Sequence, residues 1–323
     1  MKEEIIVSGR LNDKIDPILS AWHSEIPIYL FLGGLAAGLL FFAALFFILG
    51  KEKEYSTSVK FAPFIAPLGI SVGLIALLLD LTNPLYFWKL YTSFRIESPM
   101  SWGAWVLMFV TPLSMIWCLI YLKEFFGLFG EKFKKTSDLI FDIKIVNLTI
   151  EIAKKQQKVI AWILLLSSVI LGVYTGILLS AFNARPLWNT SILGPLFLVS
   201  GFSTAAASII WITKDHKEKI LFSKIDLVLI LVELFLIVHL FMGFLASSQA
   251  QIDAANLFLG GEFTISFWLF VVILGLILPA FLETLELKGF KIPVAIPVLL
   301  VLIGGLIFRF VMVEAGQVSN YIY

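Results

Sequence analysis

Eight stretches of about twenty mostly apolar residues follow one another along this chain, and that pattern leaves few folds open. A helix needs roughly 20 such residues to cross the hydrocarbon of a bilayer. Inside that layer every backbone N–H and C=O must find a partner within the protein, so a spanning segment is either a helix or a strand of a closed barrel. Apolar runs this long are helices. The expected spans are residues 26–50, 61–81, 102–123, 159–181, 191–213, 225–249, 263–285 and 292–315. Prolines sit at or near several of their starts (Pro27, Pro63, Pro195, Pro293), where a missing N–H costs little. The expected fold is an all-α membrane protein of about eight transmembrane helices, arranged as two four-helix bundles. An outer N-terminal segment, 1–25, precedes a single transmembrane domain, 26–323, with one long cytoplasmic loop at about 124–158.

Composition supports this. Of the 323 residues 59% are hydrophobic and only 15% charged, where a soluble domain carries about 25% charged residues. The apolar excess must face lipid. A net charge of +1 gives no sign of nucleic-acid binding. The single cysteine, Cys118, excludes an internal disulfide or a cysteine cage for zinc or an iron–sulfur cluster. The first 25 residues are polar and lack the apolar core of a cleaved signal, so the first span itself is expected to direct insertion.

Lys and Arg in the connections set the orientation. Loops 51–60, 124–158, 214–224 and 286–291 carry three, seven, four and two; the alternate loops carry two (Lys89, Arg95), one (Arg185) and none. Basic loops stay in the cytoplasm, so both termini are expected outside. The 124–158 loop, which mixes Lys with acids and apolar residues, reads as a solvated, partly helical linker.

Unusual polar residues crowd the outer side: Ala21-Trp22-His23-Ser24-Glu25, Asp80-Leu81-Thr82-Asn83-Pro84, Ser98 to Gly103, and Tyr174-Thr175-Gly176. At 1.5 Å per residue Tyr174 lies roughly 22 Å, and Asp80 roughly 28 Å, from the start of its span. Trp22, Trp88, Trp102 and Trp188 read most simply as the aromatic belt of the interface. Asp80 is harder to explain structurally, because an ionised carboxylate in a membrane costs about 2.5–3.5 kcal/mol on insertion scales. Segments Asn83 to Trp88 and Asn183 to Trp188 share a faint pattern, either a duplicated helix pair or a coincidence of interface residues.

Span six holds Glu233 and His239, and intramembrane ionisable groups are functional candidates by default. Asp226 and Glu233 are seven apart and share a helix face, which suits a proton path from the cytoplasm that also enlists His239 and Asp80. His239 is about 120° around the helix from Glu233. Arg309 in span eight needs a counter-charge, with Asp80 or Glu314 as candidates. Gly34 and Gly38 form a GxxxG, a helix-packing signal rather than a phosphate loop.

Taken in order, Trp22-His23, Phe31-Leu-Gly-Gly-Leu-Ala-Ala-Gly38, Asp80 to Pro84, Ser98-Pro-Met-Ser-Trp-Gly-Ala-Trp105 and Tyr174-Thr-Gly-Ile-Leu-Leu-Ser180 resemble the NrfD/polysulfide reductase membrane-subunit family. The likeness runs over about 180 residues. It implies a quinone-reactive subunit of a respiratory complex that binds menaquinone or ubiquinone near the outer face and holds no haem or metal of its own. Its partners would be an iron–sulfur, ferredoxin-like subunit and a molybdopterin or multihaem catalytic subunit on the outer face of a bacterial or archaeal cytoplasmic membrane. The family's quinone-contacting histidine and tyrosine match His23 and Tyr174. Ser20 stands in for a polar residue before that histidine, and Asp80, with Thr82 in the same motif, matches an acidic position near the pocket.

The chemistry agrees with that reading. A quinone needs hydrogen-bond partners for two carbonyls, an apolar bed for its tail, and an acid–base group for the protons that quinol releases. Two other readings stand beside it. A haem b anchor needs paired axial ligands, and the chain has only His23, His216 and His239. A transporter or channel would use Asp80, Glu233, His239 and Arg309.

Overall fold

The structure is a computed structural model that describes residues 22–93, 95–128 and 141–321. Eight helices in it are long and apolar enough to cross a membrane: span one Glu25–Ile48, span two Thr57–Asp80, span three Pro99–Gly127, span four Gln157–Ser180, span five Leu193–Ile212, span six His216–Leu245, span seven Ile265–Leu287 and span eight Ala295–Val318. All eight expected spans are present. The largest boundary difference is at span six, which begins nine residues before the expected 225. Asp215 explains it: its carboxylate accepts the backbone N–H of Lys217 at 3.1 Å, a helix-starting cap that polar loop composition conceals. His216 therefore opens a helix rather than sitting in a loop.

Spans one to four pack on one another, as do five to eight, and the two groups meet where span one lies against spans five and eight and span four against span five. Small residues make that seam. A methyl on Gly38 would stand 2.9 Å from the carbonyl oxygen of Gly201, and one on Gly201 would stand 2.8 Å from that of Gly34. The GxxxG of span one thus brings two helix backbones together, which only residues without side-chain bulk permit. Gly275 and Gly304 repeat the device between spans seven and eight.

An even number of spans returns the chain to the face it left, and here the ends are tied together. The side-chain amide of Gln317 accepts the N–H of Trp22 at 2.8 Å and donates to its carbonyl at 2.9 Å. Trp188 is fully buried, donates its indole N–H to the carbonyl of Met312 at 2.8 Å and stacks on Trp22 with centroids 5.1 Å apart. Trp188 is therefore an internal brace rather than part of an aromatic belt. Trp88 and Trp102 remain half exposed. The two segments with the shared pattern thus differ in kind, one exposed at Trp88 and one buried at Trp188.

The opposite, Lys-rich face has its own anchor. The buried carboxylate of Glu218 accepts the N–H groups of Thr57 (3.2 Å) and Ser58 (2.7 Å) and the hydroxyl of Thr213 (2.9 Å), capping the start of span two. In the long loop, residues 129–140 lie outside the described residues, and Lys144–Lys155 is a helix leading into span four. The N-terminal segment up to residue 21, with Ser20, also lies outside them.

Candidate functional site

Span two ends at Asp80 because Leu81 turns to extended backbone ahead of Asn83-Pro84. Span one begins at Glu25. The two helix ends are neighbours, and they bring His23 to Asp80: Nδ1 and Oδ1 are 3.8 Å apart, with the imidazole largely exposed and the carboxylate 12% exposed. Glu25 completes a set whose donor atoms lie within 4.8 Å of one another. The Oδ1 of Asp80 is buried and accepts no hydrogen bond from the described residues. Thr82, just beyond the helix end, is exposed.

Tyr174 sits about one helical turn deeper, on span four. Its phenol end occupies the place where any side chain at Gly103 of span three would go. It therefore lies in the wall between spans three and four, where an apolar groove of about 550 Å³ opens. Ile96, Glu97 and Trp102 form one side of that groove, and Val173, Tyr174 and Ile177 the other. Such a volume is in the range of sites that hold organic ligands. The indole N–H of Trp102 donates to the carbonyl of Ile96 at 2.7 Å, fastening the loop before span three over the groove's rim.

A second, smaller void of about 30 Å³ lies on the far side of Tyr174, lined also by Tyr29, Leu77 and Tyr91. Tyr91 belongs to the short helix Trp88–Thr92, and burial pushes its phenol above the ordinary value, so it stays a neutral hydroxyl. Leu77 is three residues before Asp80, one turn of span two. The site is thus a stack: His23 and Asp80 at the rim, the tyrosine-lined void one turn in, and the groove beside it. The expected residues His23 and Asp80 are together, and Tyr174 is placed below them rather than against them. Sequence reading passed over Tyr29, Tyr91 and Gly103. Their only signals are a tyrosine one turn into span one and a glycine in the Ser98 to Trp105 motif.

A second polar cluster crosses the other half. Arg309, fully buried, donates from Nη1 to the hydroxyl of Ser200 and, at 3.1 Å, to the carbonyl of Gly305, and from Nη2 to that of Phe197 at 3.2 Å. Its guanidinium lies 5.1 and 5.2 Å from the rings of Phe197 and Phe308. The nearby acid is the buried Glu233, which lines the same small void as Arg309's partners Ser200 and Gly305. The candidates Asp80 and Glu314 are not its partner: Asp80 pairs with His23, and Glu314 is exposed. Seven residues before Glu233, Asp226 accepts the hydroxyl of Ser203 at 2.5 Å. Glu283 of span seven, also buried, adjoins Asp226. Ser200 and Ser203 are three apart on span five, so one helix face meets both Arg309 and Asp226.

His239 does not join this cluster. It is exposed on the lipid side, with its ring 4.0 Å from that of Phe235 and Nδ1 at 2.9 Å from Phe235's carbonyl. Six residues beyond Glu233 is the wrong phase of the helix. Glu283 is the member that sequence reading overlooked, though it carries the same signal as Glu233, a carboxyl inside an apolar span.

Comparison with known proteins matches residues 13–320 to the family described as Polysulphide reductase, NrfD. The protein is 34% identical to one of the chains of the polysulfide reductase of Wolinella succinogenes, over 92% of its own length and 94% of that relative's. It is 31% identical to protein NrfD of Escherichia coli, over 92% and 95%. It is 25% identical to one of the subunits of the selenate reductase of Mesobacillus selenatarsenatis, over 94% and 75%.

Proposed function

The chain belongs to the NrfD polysulphide reductase family, and on that premise we propose that it is the quinone-reactive membrane subunit of a respiratory oxidoreductase complex. It exchanges electrons between a menaquinone or ubiquinone pool and an iron–sulfur partner, which in turn serves a molybdopterin or multihaem catalytic subunit. The names of its relatives support membership of a multi-subunit reductase, since one is a single chain of a polysulfide reductase and another a single subunit of a selenate reductase. The lysine distribution supports partners on the face that carries the two termini, outside the cytoplasmic membrane of a bacterium or archaeon.

The observation that carries the reading is Tyr174 at the wall of an apolar groove of about 550 Å³ between two spans. Quinol is a lipid-soluble ring with two hydroxyls. A groove between helices accepts it from the bilayer and buries its apolar surface, while the phenol of Tyr174 bonds one ring oxygen. His23 and Asp80 at the rim take the proton-handling role: a carboxylate with an unsatisfied buried oxygen is a ready acceptor. The partner then needs to reach only the rim, not the membrane interior.

The cluster of Asp226, Glu283, Glu233 and Arg309 supports coupling to proton movement. Buried ionisable groups are costly to keep in a membrane, and these four come from spans six, seven and eight of one helix group, all buried.

The test is Tyr174→Phe and His23→Ala in the complex with its partner subunits. Both are expected to cut quinol-linked electron transfer while the protein still inserts. Normal turnover in both would overturn the site assignment.

A further inference from the structure

Three tyrosines from three separate segments, Tyr29 of span one, Tyr91 of the short outer helix and Tyr174 of span four, line the void behind Tyr174. A void holds a water when it offers about 10–15 Å³ of room and two to four polar partners. This one offers about 30 Å³ and has three tyrosines in its lining. The remaining lining is largely apolar, with Leu77, Ala104 and Leu107 among it, so a water here bonds the phenols. Each neutral phenol both donates and accepts. The void is also in the right place: the groove lies on one side, and Asp80 lies one turn of span two above Leu77, about 5 Å along the helix.

We infer that Tyr29, Tyr91 and Tyr174 hold a water between the groove and the His23–Asp80 pair, and that Tyr29 positions this water to relay a proton from the bound quinol toward Asp80. The inference rests on the quinol reading given above. In each of two relays one quinol O–H bond breaks, and its proton passes along the hydroxyl of Tyr174, the water and the hydroxyl of Tyr29, each accepting one proton as it yields another, to the Asp80 carboxylate. Asp80 then hands that proton by way of the exposed His23 to the outer solvent and is a carboxylate again for the second. No phenol gains net charge. The two electrons leave to the iron–sulfur group of the partner subunit.

The experiment is Tyr29→Phe in the full complex, with Tyr174→Phe beside it. Phe keeps the ring that packs on span two and removes only the hydroxyl. Quinol turnover is expected to fall about tenfold or more, the scale of a lost acid–base step. The solvent deuterium isotope effect is expected to rise, with quinone-analogue affinity held within about twofold. If turnover and isotope effect stay at the parent level while Tyr174→Phe is slow, the relay is wrong and the quinol site stands. If neither variant slows, both readings fall. If Tyr29→Phe loses affinity in proportion to turnover, Tyr29 binds the ring directly and the relay is overturned.

Discussion

The phenol of Tyr174 fills the space in which a side chain at Gly103 would stand. Span three can pass this close to span four only because residue 103 has no Cβ. The position of the hydroxyl in the candidate site is thus set by an absence on the neighbouring helix.

Gly103→Ala should therefore act as a Tyr174 variant without touching Tyr174. The added methyl displaces the ring, and a displacement of about 1 Å at a reacting group costs up to about a hundredfold in rate. Quinol-linked turnover of the variant complex should fall by about tenfold to a hundredfold, with normal membrane insertion. Turnover equal to the parent would show that the ring has room to move or does not matter.

Arg309 and Glu233 should depend on each other. The two are neighbouring opposite charges in the buried interior, and if they compensate each other, removing one costs up to about 3–5 kcal/mol. Arg309→Met should lower the thermal unfolding temperature in detergent markedly, and the double variant with Glu233→Gln should recover part of it. An unrescued double variant would place the counter-charge elsewhere.

Glu233→Gln alone should separate protons from electrons. In proteoliposomes the number of protons moved per electron should fall, while electron transfer stays within about twofold of the parent. A parallel loss of both would assign Glu233 to the quinol site or to structure.

Gly201→Leu should break the seam between the two helix groups. A leucine cannot fit 2.8 Å from the Gly34 carbonyl, and overpacking costs about 1–3 kcal/mol or more. The expected result is lower yield of folded protein in detergent, read by size-exclusion profile. The same change at Gly243, which has open space around it, should be tolerated.

The orientation follows from sidedness of labelling. With the buried Cys118 replaced by serine, a cysteine at Gly260 should react with an impermeant maleimide added to intact cells, and one at Lys53 should react only after lysis. The reverse pattern would place the termini inside.

Much of the fold was legible because a bilayer forces it. Length and apolarity alone mark Glu25–Ile48 and its seven counterparts as helices, since no other backbone satisfies its hydrogen bonds in hydrocarbon without closing a barrel. The GxxxG at Gly34 and Gly38 was legible as a contact, though not as a contact with span five. His23, Asp80 and Tyr174 were legible through the ordered motifs of a family. Span six was mis-bounded because its first turns are polar, and Trp188 was misread because an interface tryptophan and a buried one look alike in one dimension.

What sequence alone determined, then, is the set of helices and the residues that do not belong in lipid. Which of those residues meet is a different matter. Tyr29, Tyr91 and Tyr174 are far apart in the chain and share a void only because three segments pack around it. Arg309 lies near Glu233 rather than Asp80 or Glu314, and His239 is left exposed, because helix phase and neighbouring helices decide direction. The physical reason is common to both. Hydrophobicity is a property of each residue and can be read along the sequence, whereas contact depends on how side chains of different helices fill the same space, and that is set only when all eight are packed.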